Sequence, residues 1–296
     1  MDIYDLKIDE IKPNLKKKLE LKKGTTFGVE IEAEDIDPNK IIKMSKNSTL
    51  NNWQFKDDRS LKYGCSIELA SPIFEDTKES YLDIKKACKL LKQENANVSE
   101  NSSLQIHFGI QIFNNNFVNL EEFYKLWTIF EHIIYRYSYG ENKKARKEIL
   151  EYARPISIYL KNKLEETKNK DMLNLSRIIG AEKKNAISFR YKEEENQIKI
   201  NTIEIRTING TLDHILIQNY IYFFYKLINY VTLSKYEKDK IEYLFKNFDK
   251  TKSFSEYSNI FFDDAVLLTE LIFDSEIDKS IFLKNYLGED IKKYTK

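Results

Sequence analysis

Cysteine is nearly absent. Cys65 and Cys88 are the two in 296 residues, too few for a disulfide framework or a thiolate-built metal site. Cys88 falls on the apolar stripe Tyr81, Ile84, Cys88, Leu91 of a helical segment, where a buried thiol is expected. Eight glycines and four prolines leave long elements with little punctuation, and there is neither an internal repeat nor a low-complexity linker. No stretch reaches the roughly 20 apolar residues of a membrane-spanning helix. The acidic, mixed start MDIYDLKIDEIK lacks the basic start and apolar run of a secretory signal. A cytoplasmic location is therefore expected, and the Asn-x-Ser/Thr triplets at Asn47, Asn97 and Asn101 are read as incidental. Net charge is small, +1. With 48 basic and 47 acidic side chains, the chain has no global attraction for nucleic acid or anionic lipid, and neither is expected as a partner. Finally, the sequence has no GxxxxGK[ST], GxGxxG or GxSxG. A bound nucleotide would have to be held through metal-bridged phosphates and basic side chains.

What is present is a set of short strands with an ionisable face. Thr26–Glu34 alternates strictly, with Phe27, Val29, Ile31 and Ala33 on one side and Gly28, Glu30, Glu32 and Glu34 on the other. CSIELASP, ending at Pro72, reads as a second strand after the turn-rich DDRSLKYG. SLQIHFGIQIF alternates again, placing Ser103, Gln105, His107 and Gly109 opposite Leu104, Ile106, Phe108 and Ile110. NAISFRY and IKINTIEIRTI flank the polar loop KEEENQ as a hairpin. Helices are predicted near Thr77–Leu91 and from a capping box at Asn119 and Glu122 to Gly140. A further, nearly all-apolar helix is predicted over Ile215–Val231, and the charged and aromatic remainder from about Lys235 is also expected to be helical. This mixed order implies an α+β domain on an antiparallel sheet.

Residues two apart on a strand project to one side about 7 Å apart, so Glu30 and Glu32 repel unless cations intervene. Mg²⁺ prefers such carboxylate oxygens, but taken alone the pair favours an acidic edge strand facing water, because acidic alternation is common. Glu204-x-Arg206 reads either as a surface ion pair worth under about 1 kcal/mol or as a metal-holding acid beside a phosphate-cradling guanidinium. His107 joins these acids on the polar face. His132 and His214 lie in helical segments and are read as structural.

In sequence order, FGVEIE, Asp58-Arg59-Ser60-Leu61, IELASP, His107-Phe108-Gly109, Arg146 with the YARPI segment around Arg154, and TIEIRTINGTLD resemble the amidoligase family. This family is a branch of the glutamine synthetase and glutamate–cysteine ligase superfamily of carboxylate–amine ligases. The resemblance implies a curved antiparallel sheet whose concave face binds ATP and Mg²⁺ (or Mn²⁺), with helices on the other face. It also implies the reaction: a carboxylate takes the γ-phosphoryl group, and an amine attacks the acyl phosphate to form an amide. The acid and the amine acceptor would be amino acids, peptides or protein groups.

By this resemblance Glu30, Glu32, Glu68, His107 and Glu204 hold metal, while Glu204 and Arg206 serve catalysis. Arg146, Arg154, Lys184, Gln105 and Asn209 face ATP or substrate. The family commonly has His-x-His where this chain has Gln105-Ile106-His107, and glycine where it has Ser103. Residues 1–234 are expected to form the catalytic domain with its lead-in, and 235–296 a helical extension packed on it. Two other readings stay open: a metal-dependent hydrolase using the same acids and His107 to activate water, or a non-catalytic protein of the same fold that binds a partner through a Tyr- and Phe-rich surface. A degenerate copy would be expected to lose acids, and all four are present.

Overall fold

The alternating segment Thr26–Ala33 forms β1, the strand that organises the sheet. The computed structural model describes residues 14–37, 39–40, 43, 46, 50, 52–57, 66–114, 116–140, 143–167, 171–180, 184–194, 197–248 and 252–293. Asp58-Arg59-Ser60-Leu61 and Cys65 lie outside them. Among the described residues, β2 (Gln54–Asp57), β3 (Ile67–Ala70), β4 (Phe74–Glu75), β5 (Ser103–Gly109), β6 (Ile187–Glu194) and β7 (Gln197–Asn209) join β1 in one sheet. Its order is β2-β3-β1-β5-β7-β6, with β4 paired to β1. Every pairing is antiparallel and the sheet is open.

One face is apolar because alternation puts Val29, Ile31, Leu69, Ile106, Phe108, Ile203 and Ile205 on it, all buried. Helix α1 (Lys78–Gln93) covers part of that face, its Tyr81 ring stacked on Phe27 at 5.9 Å. Helix α2 (Phe117–Ser138) covers another part, with Ser138 Oγ 3.0 Å from Thr207 Oγ1. The other long helices are α3 (Ser157–Glu166), α4 (His214–Tyr230), α5 (Lys238–Lys246), α6 (Phe262–Ile272) and α7 (Glu276–Leu287). Among the described residues the C-terminal segment holds three of these helices, α5, α6 and α7, as the expected helical extension. Tyr137 of α2 stacks on Phe282 of α7 at 4.5 Å, which ties the last helices into the same core. No helix among the described residues is long and apolar enough to cross a membrane.

Two local expectations are corrected. The capping box at Asn119 and Glu122 does not form. Asn116 caps α2 instead, accepting from Val118 N at 2.9 Å. Asn119 donates to Phe113 O, and Glu122 pairs with Lys125. An earlier Asn with the same side chain takes the position, and the helix gains the three residues Phe117, Val118 and Asn119. The hairpin loop is also shorter than KEEENQ. Backbone pairing continues to Glu194↔Gln197, since ladder hydrogen bonds do not require apolar side chains. As expected, α2 ends before Gly140, whose φ of 71° is a left-handed conformation that glycine adopts without strain.

Asp264 of α6 fastens this helix to α2. Its carboxylate lies 2.8 Å from His132 Nε2 and 2.5 Å from Lys252 Nζ. The His132 hydrogen bond, with Lys252 added, outweighs burial and pulls the carboxyl down from 3.8 to about 2. A depressed carboxyl pKa adds stability above pH 3.8 that is lost as pH falls toward 2. Asp264→Asn should therefore destabilise the chain at neutral pH by about 1 kcal/mol, a value discounted for the partial exposure of the pair. Urea melts should show the variant and wild type converging near pH 2.

Candidate functional site

Strand register arranges the polar face in rows about 7 Å apart. Gly28, His107 and Glu204 lie opposite one another across β1, β5 and β7. In the next row Glu30 faces Ala70 and Gln105, and beyond it Glu32 faces Glu68, which in turn faces Lys56 of β2. The β5–β7 register shifts between Leu104 and Ile106, so that two residues of β7, Arg206 and Thr207, stand against one on β5. Simple alternation from Glu204 would put Ile208 among the charges. The bulge returns Ile208 to the core opposite Leu104 and brings Asn209 opposite Ser103.

Glu30, His107 and Glu204 converge, each offering a ligand atom within 4.8 Å of the others. His107 Nε2 is buried without a hydrogen-bond partner and lies 3.5 Å from Glu30 Oε1, too far for a firm bond. Burial would push the Glu30 carboxyl up, but His107, Lys56 and Arg206 together hold it below the usual range. Glu204 is almost wholly buried and receives Nη1 of Arg206. Two carboxylates and an imidazole with an unengaged, buried nitrogen fit a divalent cation such as Mg²⁺ or Mn²⁺.

Arg206 is held on three sides. Nη1 donates to Gln105 Oε1 at 3.1 Å as well as to Glu204, and Nε donates to Tyr152 O at 3.1 Å. Its planar fork is thereby fixed beside the three donors. Gln105 extends the network, its Nε2 donating to Glu32 Oε1 at 3.1 Å. Glu32 also accepts Ser103 N at 2.6 Å. Glu32 and Glu68 thus lie apart from the converging three. They line a neighbouring cavity of about 170 Å³ with Gln105, Arg146, Tyr152 and Arg206.

Arg146 stands in that cavity's wall, buried, donating Nη2 to Arg206 O at 2.9 Å. Burial holds its pKa below the ordinary guanidinium value against the attraction of Glu32, and repulsion from Arg206 adds to the drop. Its Nε has no hydrogen-bond partner. Asn209 fastens the loop that carries Arg146. It donates to Tyr139 O and Lys144 O at 3.0 and 2.8 Å and accepts Arg146 N at 3.2 Å. Arg154 and Lys184 are placed elsewhere. Arg154 N donates to Lys184 O, the Arg154 side chain lines a separate cavity with Pro155 and Ile158, and Lys184 is exposed.

A second cavity of about 210 Å³ is lined by Glu30 and His107 together with Gly28, Pro72 and Ile73. Two larger cavities, each about 520 Å³, border the start of α4 and contain none of the three converging residues. The tyrosines proposed for a binding surface are largely core: Tyr81, Tyr124, Tyr135, Tyr137, Tyr220 and Tyr286 are buried.

Two participants are not evident from the sequence pattern. Lys56 Nζ lies 2.6 Å from Glu68 Oε1 and 3.7 Å from Glu30 Oε1. It sits in a strand of four residues, too short to show alternation, and is one lysine among many. Tyr152 acts through its carbonyl, which no side-chain motif reports, although YARPI marks its neighbourhood.

A family model described as "putative amidoligase enzyme" matches residues 45–228, more than half of the chain. The match includes Glu68, His107, Arg146, Glu204 and Arg206. β1, with Glu30 and Glu32, precedes it but is hydrogen-bonded between β3 and β5, both inside it. No curated protein matches the chain.

Proposed function

The chain belongs to the amidoligase family, and we propose that it joins a carboxylate to an amine at the expense of ATP, through an acyl phosphate. The observation that carries this reading is the convergence of Glu30, His107 and Glu204 beside an arginine fixed by three acceptors. Glu30, His107 and Glu204 would hold a divalent ion, with Glu32 and Glu68 one row away as outer partners. When bound there, Mg²⁺ or Mn²⁺ supplies charge neutralisation for phosphate oxygens.

Arg206 is held by three acceptors, so its guanidinium would meet phosphoryl oxygens from a fixed position. Such preorganisation avoids reorientation during transfer, which is where most of the barrier reduction in phosphoryl transfer arises. Arg146, a buried cation lining the adjoining cavity, is suited to the acid substrate's oxygens there. Gln105 and Asn209 position these two arginines. Arg154 and Lys184 would reach only a part of a substrate extending beyond that cavity. The acid and amine would be amino acid, peptide or protein groups, and the chain is expected to work in the cytoplasm.

Calorimetry with Mg-ATP, followed by ADP release with and without candidate acid–amine pairs, tests the reading. Binding of Mg-ATP with ADP release only when both acceptors are present is the expected result. No binding at millimolar Mg-ATP would overturn it, and ester or peptide hydrolysis without ATP would indicate a hydrolase using the same residues.

A further inference from the structure

Lys56 occupies an unusual place for a surface lysine. Its partner directly across the β2–β3 ladder is Glu68, and that ion pair alone would account for a 2.6 Å contact. Yet the ammonium also reaches diagonally, out of its own row, to within 3.7 Å of Glu30. Glu30 is one of the three converging donors, and Glu204, another, is engaged by Arg206. Both carboxylates that would hold a metal therefore already carry a side-chain cation. The two cations differ in freedom. Arg206 is fixed by Gln105 and Tyr152, whereas Lys56 lies on an edge strand with its side chain about half exposed, 48%. A lysine stem can rotate its three donors to a new partner at little cost.

Charge balance gives the exchange a direction. Glu30, Glu32, Glu68 and Glu204 set four negative charges against three positive ones from Lys56, Arg146 and Arg206. A divalent cation at Glu30, His107 and Glu204 reverses that sign, and a polyphosphate is then attracted where it was previously repelled. Resting on the ligase reading above, we infer that Lys56 is a phosphate-binding residue that serves as a stand-in cation for Glu30 and Glu68. It competes with the metal for Glu30 and, once displaced, its ammonium transfers to the polyphosphate of the nucleotide. Metal and polyphosphate binding are thereby coupled, each raising the affinity for the other.

The test uses the full chain, Mn²⁺ detected by electron paramagnetic resonance, and inorganic tripolyphosphate as the phosphate probe. Lys56→Met should bind Mn²⁺ alone about three- to tenfold more tightly than wild type, because a competing charge is gone. At saturating Mn²⁺ the same variant should bind tripolyphosphate about tenfold more weakly. Lys56→Arg should retain most of the tripolyphosphate affinity, and circular dichroism melts of both variants report whether the fold is kept. Unchanged or weakened Mn²⁺ binding in Lys56→Met would overturn the exchange. Unchanged tripolyphosphate affinity would overturn the phosphate role. Failure of the wild-type chain to bind Mn²⁺ at all would instead remove the ligase reading itself, a result distinct from either.

Discussion

Glu204→Gln is expected to lower turnover by about a thousandfold or more while the chain melts within a few degrees of wild type. The two side chains have nearly the same shape, and the amide oxygen can still accept from Arg206 Nη1. What disappears is the negative charge at a site that is about 1% exposed. One of two carboxylates in the converging group becomes neutral, so Mn²⁺ affinity should fall in parallel with activity. Arg206 keeps Gln105, Tyr152 and the new amide oxygen as acceptors, so it should stay in place while the converging group loses charge. A steady-state assay of ADP release and a Mn²⁺ titration on the same preparation check both parts. Full activity in Glu204→Gln would show that Glu204 does not carry the chemistry.

The second large effect concerns stability. Glu131→Leu should cost about 3–5 kcal/mol, with a fall in melting temperature of roughly 10 °C. Glu131 lies in the middle of α2, fully buried. It accepts Trp127 Nε1 at 2.9 Å and the backbone N–H groups of Ile156 and Ser157 at 2.7 and 3.0 Å. Those two amides open α3, which has no capping side chain of its own, so Glu131 supplies the missing cap from another helix. Burial raises its pKa despite these donors. Leucine fills the volume and leaves three buried donors without acceptors. The damage should also reach the candidate site. The segment ahead of Ile156 contains Tyr152, whose carbonyl holds Arg206 Nε. A chemical-denaturation midpoint unchanged from wild type would rule out this role for Glu131.

The polar face was legible in the sequence because strand alternation is local. Period two in Thr26–Ala33 and Ser103–Gly109 separates Glu30, Glu32, Gln105 and His107 from the core without any knowledge of neighbours. The family resemblance then linked these strands to TIEIRTING, and the register places Glu204 directly opposite His107. The ends of elements were less legible. Asn116 and Asn119 offer the same capping chemistry, and nothing local chooses between them. The bulge after Ile205 was not readable either, since an extra residue in one strand is defined only against its partner.

By itself, then, the sequence determined which side chains line one face of each strand, that the chain mixes helices with an antiparallel sheet, and which family it resembles. Only the tertiary structure decided how five candidate ligands divide. Glu30, His107 and Glu204 converge, while Glu32 turns to Ser103 and Gln105, and Glu68 to Lys56. Likewise, it kept Arg146 at the site and carried Arg154 and Lys184 away from it. The reason is that alternation fixes the side of a sheet on which a residue emerges. Cross-strand register, the β7 bulge and the partners each charge finds on other strands fix where on that side its atoms come to rest.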